Sequence, residues 1–107
     1  MIVAELIPQF SGKKSFGGKA LIRIDSSGIQ LYSYDVLILI GFVDALGKWS
    51  IQKRWNGYSA TTLSHVKELV QQIYGENVVF DKEVWDNMDT DLWYMASDLE
   101  ELKKSIR

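Results

Sequence analysis

One short segment, residues 53–62, constrains the fold of this chain more than any other. It begins with a strand-like alternation, reaches Asn56-Gly57, a dipeptide typical of turns, and then enters a run with helical spacing. Two residues that commonly cap helices, Thr61 and Thr62, stand at the start of that run. The sequence therefore predicts a strand that turns directly into a helix, with β-structure before this point and mainly helices after it.

The part of the chain that leads to this junction carries five strand-like segments. They are residues 2–9, 19–25, 29–34, 36–43 and 48–55. Pro8 cannot donate a hydrogen bond to a sheet, which predicts an edge position for the first segment. Ser26-Ser27-Gly28 predicts a hairpin turn, and the continuously apolar segment 36–43 predicts a central strand that is buried on both faces. In the last segment, Lys53 falls on the same side as Trp49 and Ile51.

The rest of the chain carries three helix-like segments. Apolar residues recur at helical spacing from Leu63 to Ile73, and Gly75 predicts the end of this helix. After an extended piece at 77–80, Asp81 is a suitable N-cap for a brief helix. Thr90 is a suitable N-cap for a last helix, in which Glu100 and Lys104 are spaced as an ion pair.

These patterns together predict an α+β fold. We expect an antiparallel meander sheet of four to five strands, packed by one main helix, with two further C-terminal helices. A chain of 107 residues with 47% apolar content can bury one modest core, so residues 1–107 are predicted to form a single domain. A core of this size is not expected to bury all the aromatic rings near the carboxyl terminus, those of Trp85, Trp93 and Tyr94. An exposed aromatic patch would allow self-association, so a homo-oligomer stays open.

Composition bounds the setting of the protein. It has no cysteine, which excludes disulfides and thiolate metal sites and favours a reducing compartment. The longest apolar run, 36–43, is far shorter than the ~20 residues of a membrane span, and the amino terminus lacks the pattern of a secretory signal. We therefore expect a cytoplasmic protein without membrane contact.

Charge divides the chain into a basic and an acidic part. Residues 1–60 carry seven Lys/Arg and four Asp/Glu, whereas residues 61–107 carry five Lys/Arg and ten Asp/Glu. The acidic segment 81–101 can present a solvated helical face or bind a basic partner. The strands are basic enough for nucleic-acid contact to be considered, although the formal net charge is −2 and the cations are spread along the sequence.

Motifs for catalysis and for cofactor or metal binding are incomplete. The segment 57–61 departs from a nucleophile elbow because Thr61 replaces the last glycine, and the lysine-glycine loop 12–20 lacks the spacing of a phosphate loop. The acidic cluster 86–91 has apolar residues where a calcium loop needs ligands or glycine. With a single histidine, His65, few nucleophile and base pairs are available. We expect no enzymatic activity, no cofactor and no metal.

The strand-turn-helix junction is the predicted binding site. Free amides of the first helical turn, hydroxyl groups, aromatic rings and a guanidinium would all be close together there, a combination that suits a phosphate, a nucleotide or an acidic side chain. The predicted site residues are Arg54, Trp55, Tyr58, Ser59, Thr61, Thr62 and His65. The same residues also suit a structural role, in which the threonines cap the helix, the rings pack on the sheet and His65 is exposed on the polar side of the helix with Thr61, Glu68 and Gln72.

Three blocks of sequence carry a resemblance to a known domain. They are Lys14-Ser15-Phe16 through Lys19-Ala20, Leu31-Tyr32-Ser33-Tyr34-Asp35, and Trp55 through Thr62 followed by His65. The chain resembles a small uncharacterised domain of Gram-positive bacteria, phages and mobile elements, with blocks that read K-S-F-x-G-K-A, L-x-S-Y-D-T and W-x-G-Y-S-A-T-T-x-x-H. The resemblance covers about residues 14–70. It departs at Val36, where the domain usually has threonine, and it carries no established activity.

The resemblance implies an accessory protein of a phage or mobile element, acting in the host cytoplasm if it is phage-encoded. We expect a non-enzymatic binding protein that inhibits a host defence system, either by blocking an effector protein or by sequestering a nucleotide signal. The partner is then a host protein or a small anionic ligand such as a nucleotide. The alternative is a nucleic-acid-binding accessory protein that uses the basic strand face, and a third class is a small enzyme that acts on an anionic substrate at Arg54, Tyr58, Ser59 and His65.

Overall fold

A computed structural model describes residues 2–106 of the chain. Its strands are β1 (Ile2–Glu5), β2 (Ala20–Asp25), β3 (Gly28–Ser33), β4 (Val36–Val43), β5 (Trp49–Lys53) and β6 (Trp93–Tyr94). Its helices are α1 (Ala60–Tyr74), α2 (Lys82–Asn87) and α3 (Ala96–Ser105). The predicted α+β class is confirmed, and so are the main helix after the junction and two further helices towards the carboxyl terminus.

The sheet is an antiparallel meander, as predicted, but it has more strands than expected. Six strands lie in chain order within the described part of the chain, whereas the sequence predicted four to five. The additional strand is β6, which pairs with β5 through Ile51 and Tyr94. Because two residues are too few to show an alternation, this segment was predicted as the beginning of the last helix, which instead starts at Ala96.

Other boundaries differ from the prediction in specific places. β1 ends at Glu5 instead of residue 9, and residues 77–80 form a turn and irregular backbone instead of an extended strand. β4 is buried only at its centre, since Val36 and Phe42 near its ends are 45% and 44% exposed. β5 pairs only with residues 39–43 of β4, so Val36 lies beyond its cover, whereas Phe42 is paired with Ser50 and is exposed all the same.

The core lies between the sheet and α1. Leu31, Leu39 and Ile51 point to the same face of three neighbouring strands, as the register of those strands requires, and all are fully buried. The apolar side of α1 packs against this face through Val66, Leu69 and Val70. Each such side chain contributes about 1.5–3 kcal/mol through its removal from water.

The aromatic residues near the carboxyl terminus are divided between core and surface. Trp85 is 1% exposed, so it is part of the core and not surplus to it. The ammonium of Lys53, also buried and on the predicted side of β5, donates to the Trp85 carbonyl oxygen at 2.6 Å and lies 4.5 Å from the ring centroid. Trp93 is 48% exposed, and Tyr94 is partly buried.

Candidate functional site

Arg54 does not reach the start of α1. Its Nη1 lies 3.0 Å from Oδ1 of Asp91 and donates to Oε1 of Gln52 at 3.0 Å. The guanidinium therefore lies against the segment that precedes β6, and its charge and its Nη1 are engaged there. The structure separates Arg54 from the other predicted site residues.

Trp55 and Tyr58 pack away from the start of α1 as well. Trp55 is half-buried against the core, and its ring is so close to Gly57 that a Cβ at that position would overlap with it. Tyr58 faces α2, where the ammonium of Lys82 lies 4.7 Å from its ring centroid. The indole of Trp85 donates to the Gly57 carbonyl oxygen at 3.3 Å. Trp55 thus has the packing role that the sequence left open for it, whereas Tyr58 lies against Lys82 of α2 and not on the sheet.

Ser59, and not Thr61 or Thr62, is the N-cap of α1. Its hydroxyl oxygen accepts a hydrogen bond from the Thr62 amide at 3.0 Å, as an N-cap side chain does. The helix consequently starts two or three residues earlier than a threonine cap would allow. Thr61 is exposed in the first turn, whereas Thr62 is buried with its hydroxyl directed towards β3.

His65 is buried, which corrects its predicted exposure on the polar side of α1. The side chain is 1% exposed, and the ring meets the Phe16 ring edge-on at a centroid distance of 4.6 Å. Its Nδ1 lies 2.9 Å from the hydroxyl oxygen of Ser33, which is itself 3.0 Å from the hydroxyl of Thr62. His65 is therefore held in place by a buried chain of polar groups that joins α1 to the end of β3.

The loop between β1 and β2 covers the polar side of α1. Glu68 is 1% exposed, and its Oε1 accepts hydrogen bonds from the amides of Phe10 and Ser11 at 2.9 and 3.0 Å. Gln72 donates to the Ile7 carbonyl oxygen at 2.8 Å. Helical periodicity marks this side of the helix as polar, but both side chains bind loop backbone, and Glu68 is withdrawn from water. That long-range contact explains why His65 and Glu68 are buried.

The buried hydroxyls assign the proton positions on the His65 ring. If Thr62 donates to Ser33 and Ser33 donates to Nδ1, each hydroxyl hydrogen has an acceptor. The reverse direction leaves the Thr62 hydroxyl hydrogen without an acceptor among residues 2–106. The chain thus places the ring hydrogen on Nε2, which has no protein hydrogen-bond partner within the same residues.

His65 is also kept neutral. Burial lowers its pKa below the usual value, and the positive charges of Lys13 and Lys19 lower that pKa further. At neutral pH the ring is therefore an uncharged donor through Nε2.

The His65 ring lines a basic cavity of about 410 Å³. The residues that line the cavity are Lys13, Ser15, Phe16, Gly17, Lys19, Tyr34, Thr61 and His65. None of them is a carboxylate. Among the described residues, neither Lys13 nor Lys19 has a carboxylate within ion-pair distance, and their ammonium groups lie 5.9 and 5.8 Å from the ring centroids of Phe16 and Tyr34. The cavity therefore collects unpaired positive charge and hydrogen-bond donors.

Two tight turns bring the lining residues together. The first reverses the chain from Phe16 to Lys19, whose amide donates to the Phe16 carbonyl oxygen at 3.2 Å, and its two central glycines have φ of 64° and 74°. The second joins β3 to β4 at Tyr34 and Asp35. The amide of Tyr34 donates to the Lys19 carbonyl oxygen at 3.0 Å, which ties the second turn to the first. Both turns lie beside the first part of α1.

Of the seven predicted site residues, Thr61 and His65 line the basic cavity, and Thr62 supports His65 from behind. The sequence prediction missed Lys13, Lys19 and Tyr34 as neighbours of His65. A signal for Lys19 and Tyr34 was present, since each of the three resemblance blocks supplies lining residues, whereas Lys13 lies just before the first block. The prediction treated the third block as a site by itself, although the three blocks meet in space.

The side chains and helices of the described residues also bear on metal binding and membrane insertion. No group of three or more histidine or carboxylate side chains is placed to hold a metal ion among residues 2–106. None of the helices in that part of the chain has the length and apolar content needed to cross a membrane.

The comparisons with known proteins yield one match. No curated protein and no solved structure matches the chain. A family model, described as "Family of unknown function (DUF8033)", matches residues 4–87. The matched residues include the second half of β1, all of β2 to β5, and both α1 and α2. They also include every residue that lines the basic cavity. The chain therefore belongs to this family of unknown function, DUF8033.

Proposed function

We propose that the protein is a non-enzymatic binding protein that holds a small phosphorylated ligand in the basic cavity. The observation that carries the proposal is that two lysines without ion-pair partners among residues 2–106 and a buried histidine donor line one cavity whose described lining has no carboxylate. The chain as a whole has a formal net charge of −2, so this positive patch is not a consequence of overall composition.

Each polar group of the cavity has a donor available to an anion. The ammonium groups of Lys13 and Lys19 act as point charges, a common way of binding phosphate. His65 offers Nε2–H from a fixed position, and Thr61 offers a hydroxyl in the first turn of α1, where the helix dipole also favours negative charge. A phosphate with several acceptor oxygens matches this set better than a single carboxylate does.

The same geometry supports binding over catalysis. Ser33 and His65 are within the distance of a nucleophile and its base, at 2.9 Å. However, Ser33 is 2% exposed and lies behind the ring, so a substrate in the cavity meets Nε2 and not the Ser33 hydroxyl. The hydroxyl serves to orient the ring.

The biological setting of this proposal comes from the resemblance to a domain of phages and mobile elements. In that setting, a cytoplasmic protein that captures a phosphorylated signal would inhibit a host defence system by lowering the concentration of the free signal. Blocking of an effector protein is the other mode of inhibition that fits the same setting. Pull-down from host extract, with and without competing phosphorylated compounds, separates the two modes.

Isothermal titration calorimetry tests the binding proposal directly. We expect ribose 5-phosphate or pyrophosphate to bind, and Lys19→Ala to weaken binding by about 1.5–3 kcal/mol, the usual contribution of a hydrogen bond to a charged group. Lys48→Ala is the matched control, since Lys48 is exposed in the turn before β5 and outside the cavity. Failure of every phosphorylated compound to bind, or equal affinities for the two variants, would contradict the proposal.

The alternative, nucleic-acid binding through the basic strand face, has less support. Of the cations on β5 and just after it, Lys53 is buried and Arg54 is paired with Asp91. Retention on single-stranded or double-stranded DNA that weakens steeply with salt would favour this alternative.

A further inference from the structure

Tyr34 occupies the rim of the basic cavity in an unusual backbone conformation. It has φ of 51°, and Asp35 beside it has φ of 66°. Two successive residues with positive φ are typical of a tight hairpin turn of type I′, which strongly prefers Asn-Gly because a Cβ is strained there. In residues 2–106, only one other non-glycine residue, Asp91, has positive φ.

The strained turn presents an aromatic ring at the cavity. The Tyr34 side chain is 51% exposed, its ring centroid is 6.2 Å from that of His65, and the ammonium of Lys19 lies 5.8 Å from the ring. A tyrosine at this place adds little to the core and costs backbone strain. Strain that persists beside a site of this kind points to a role in what the site binds.

The size of the cavity indicates a ligand larger than an inorganic anion. About 410 Å³ falls in the range of small-molecule sites, roughly 300–1,000 Å³, and a lone phosphate would leave most of it empty. The anion-binding groups Lys13 and His65 and the exposed ring of Tyr34 border the same space. A ligand that contacts both the anion-binding groups and the Tyr34 ring has a phosphate at one end and a flat ring at the other.

We propose that the ligand is a nucleoside phosphate whose base stacks on Tyr34 while its phosphate is bound by Lys13, Lys19 and His65. This inference rests on the proposed function and narrows its ligand class. Stacking on an aromatic side chain is tolerant of base identity, because every base has a π-face. Tyr34 is thus the residue that distinguishes a nucleotide from a sugar phosphate or pyrophosphate.

The test compares ligands with and without a base on three proteins. Calorimetric titrations of the four ribonucleoside 5′-monophosphates and of ribose 5-phosphate are measured on the wild type, on Tyr34→Phe, and on the double variant Tyr34→Asn with Asp35→Gly. The double variant keeps the turn, since asparagine and glycine suit its backbone, and it removes the ring together with the Asp35 carboxylate. Loss of that charge acts on both phosphates alike, so the ratio of their affinities still reports the ring. Circular dichroism verifies that all three proteins are folded.

We expect the best nucleoside monophosphate to bind the wild type and Tyr34→Phe roughly 5- to 150-fold more tightly than ribose 5-phosphate, the ratio that stacking of one base supplies. The double variant should bind the two compounds equally. The inference is overturned if the wild type shows no preference, or if the preference survives removal of the ring.

The outcomes also separate this inference from the proposed function. If ribose 5-phosphate binds the wild type, binds Lys19→Ala more weakly as expected above, and binds as tightly as any nucleotide, the proposed function stands and the role of Tyr34 is removed. Absence of binding by all five compounds and by pyrophosphate removes both.

Discussion

The hydroxyl of Ser33 lies at the centre of the polar chain that fixes His65. It is 2% exposed and accepts from Thr62 while it donates to Nδ1 of His65. A buried polar group of this kind stabilises the fold only while its partners are satisfied, because an unpaired donor or acceptor keeps its full desolvation cost. Ser33 thus links the stability of the β3–α1 contact to the orientation of a cavity residue.

Ser33→Ala should lower the free energy of unfolding by about 1–3 kcal/mol, since it leaves Thr62 and Nδ1 of His65 without their shared partner. Urea unfolding followed by tryptophan fluorescence measures the change. Ser26→Ala, at an exposed position in the β2–β3 turn, is the matched control and should shift the midpoint little. Equal midpoints for the two variants would show that the hydrogen bonds from Thr62 through Ser33 to His65 do not stabilise the fold.

At the scale of elements, the contact between α1 and the β1–β2 loop decides where the cavity is. Glu68 accepts hydrogen bonds from the amides of Phe10 and Ser11. A few residues later the same loop supplies Lys13 and Phe16 to the cavity. Burial alone would raise the pKa of Glu68, but the hydrogen bonds from Gln72 and from the amides of the loop outweigh it, so that the pKa is lowered. The charged carboxylate is therefore the form that holds the loop.

Glu68→Gln should loosen this loop without unfolding the sheet, because the amide oxygen that replaces the carboxylate accepts weaker hydrogen bonds. We expect the amides of Phe10 and Ser11 to exchange with solvent at least several-fold faster, while amides in β3 and β4 keep their protection. Hydrogen exchange measured by NMR gives both rates in one experiment. Glu76→Gln, at an exposed position after α1, is the control. Equal exchange rates at Phe10 in both variants would contradict the claim that the Glu68 carboxylate holds the loop.

The elements also show which parts of the fold the sequence could predict. Local patterns gave the meander, the Asp81 cap of α2, the Gly75 end of α1 and the Glu100–Lys104 pair, which is 3.7 Å apart. Each of these depends on residues within one turn or one strand. β6 was missed because its pairing with β5 is non-local and only two residues long.

At the scale of the whole molecule, the candidate site could not be predicted in the same way. His65 and Ser33 are separated by 32 positions, and Glu68 and Phe10 by 58. Periodicity shows that one side of α1 is polar, but not that a loop with its own unpaired amides covers it. The three resemblance blocks were the available sign that distant segments meet, and reading them together would have pointed to the basic cavity.

The stability of the whole chain should depend on pH in two steps. The pKa of His65 is lowered by burial and by Lys13 and Lys19, so the unfolded chain takes up a proton at this residue at a higher pH than the folded chain does. Its contribution to stability is complete above the unfolded value, about 6.5, and decreases as the pH falls below it. The lowered pKa of Glu68 gives a second loss as the pH falls below about 4.5 and through the folded value.

Urea unfolding midpoints measured between pH 4 and pH 8 test this dependence. The wild type should be most stable near neutral pH and should lose stability first below pH 6.5 and then again towards pH 4. His65→Gln removes the titrating ring, so its curve should be flat between pH 7 and pH 5.5 and keep the acid step, to which Asp81 also contributes through its hydrogen bond from Lys103. Parallel curves for the wild type and His65→Gln over that upper range would mean that the histidine has the same pKa in the folded and unfolded chains, and the lowering of its pKa by burial and by Lys13 and Lys19 would then be refuted.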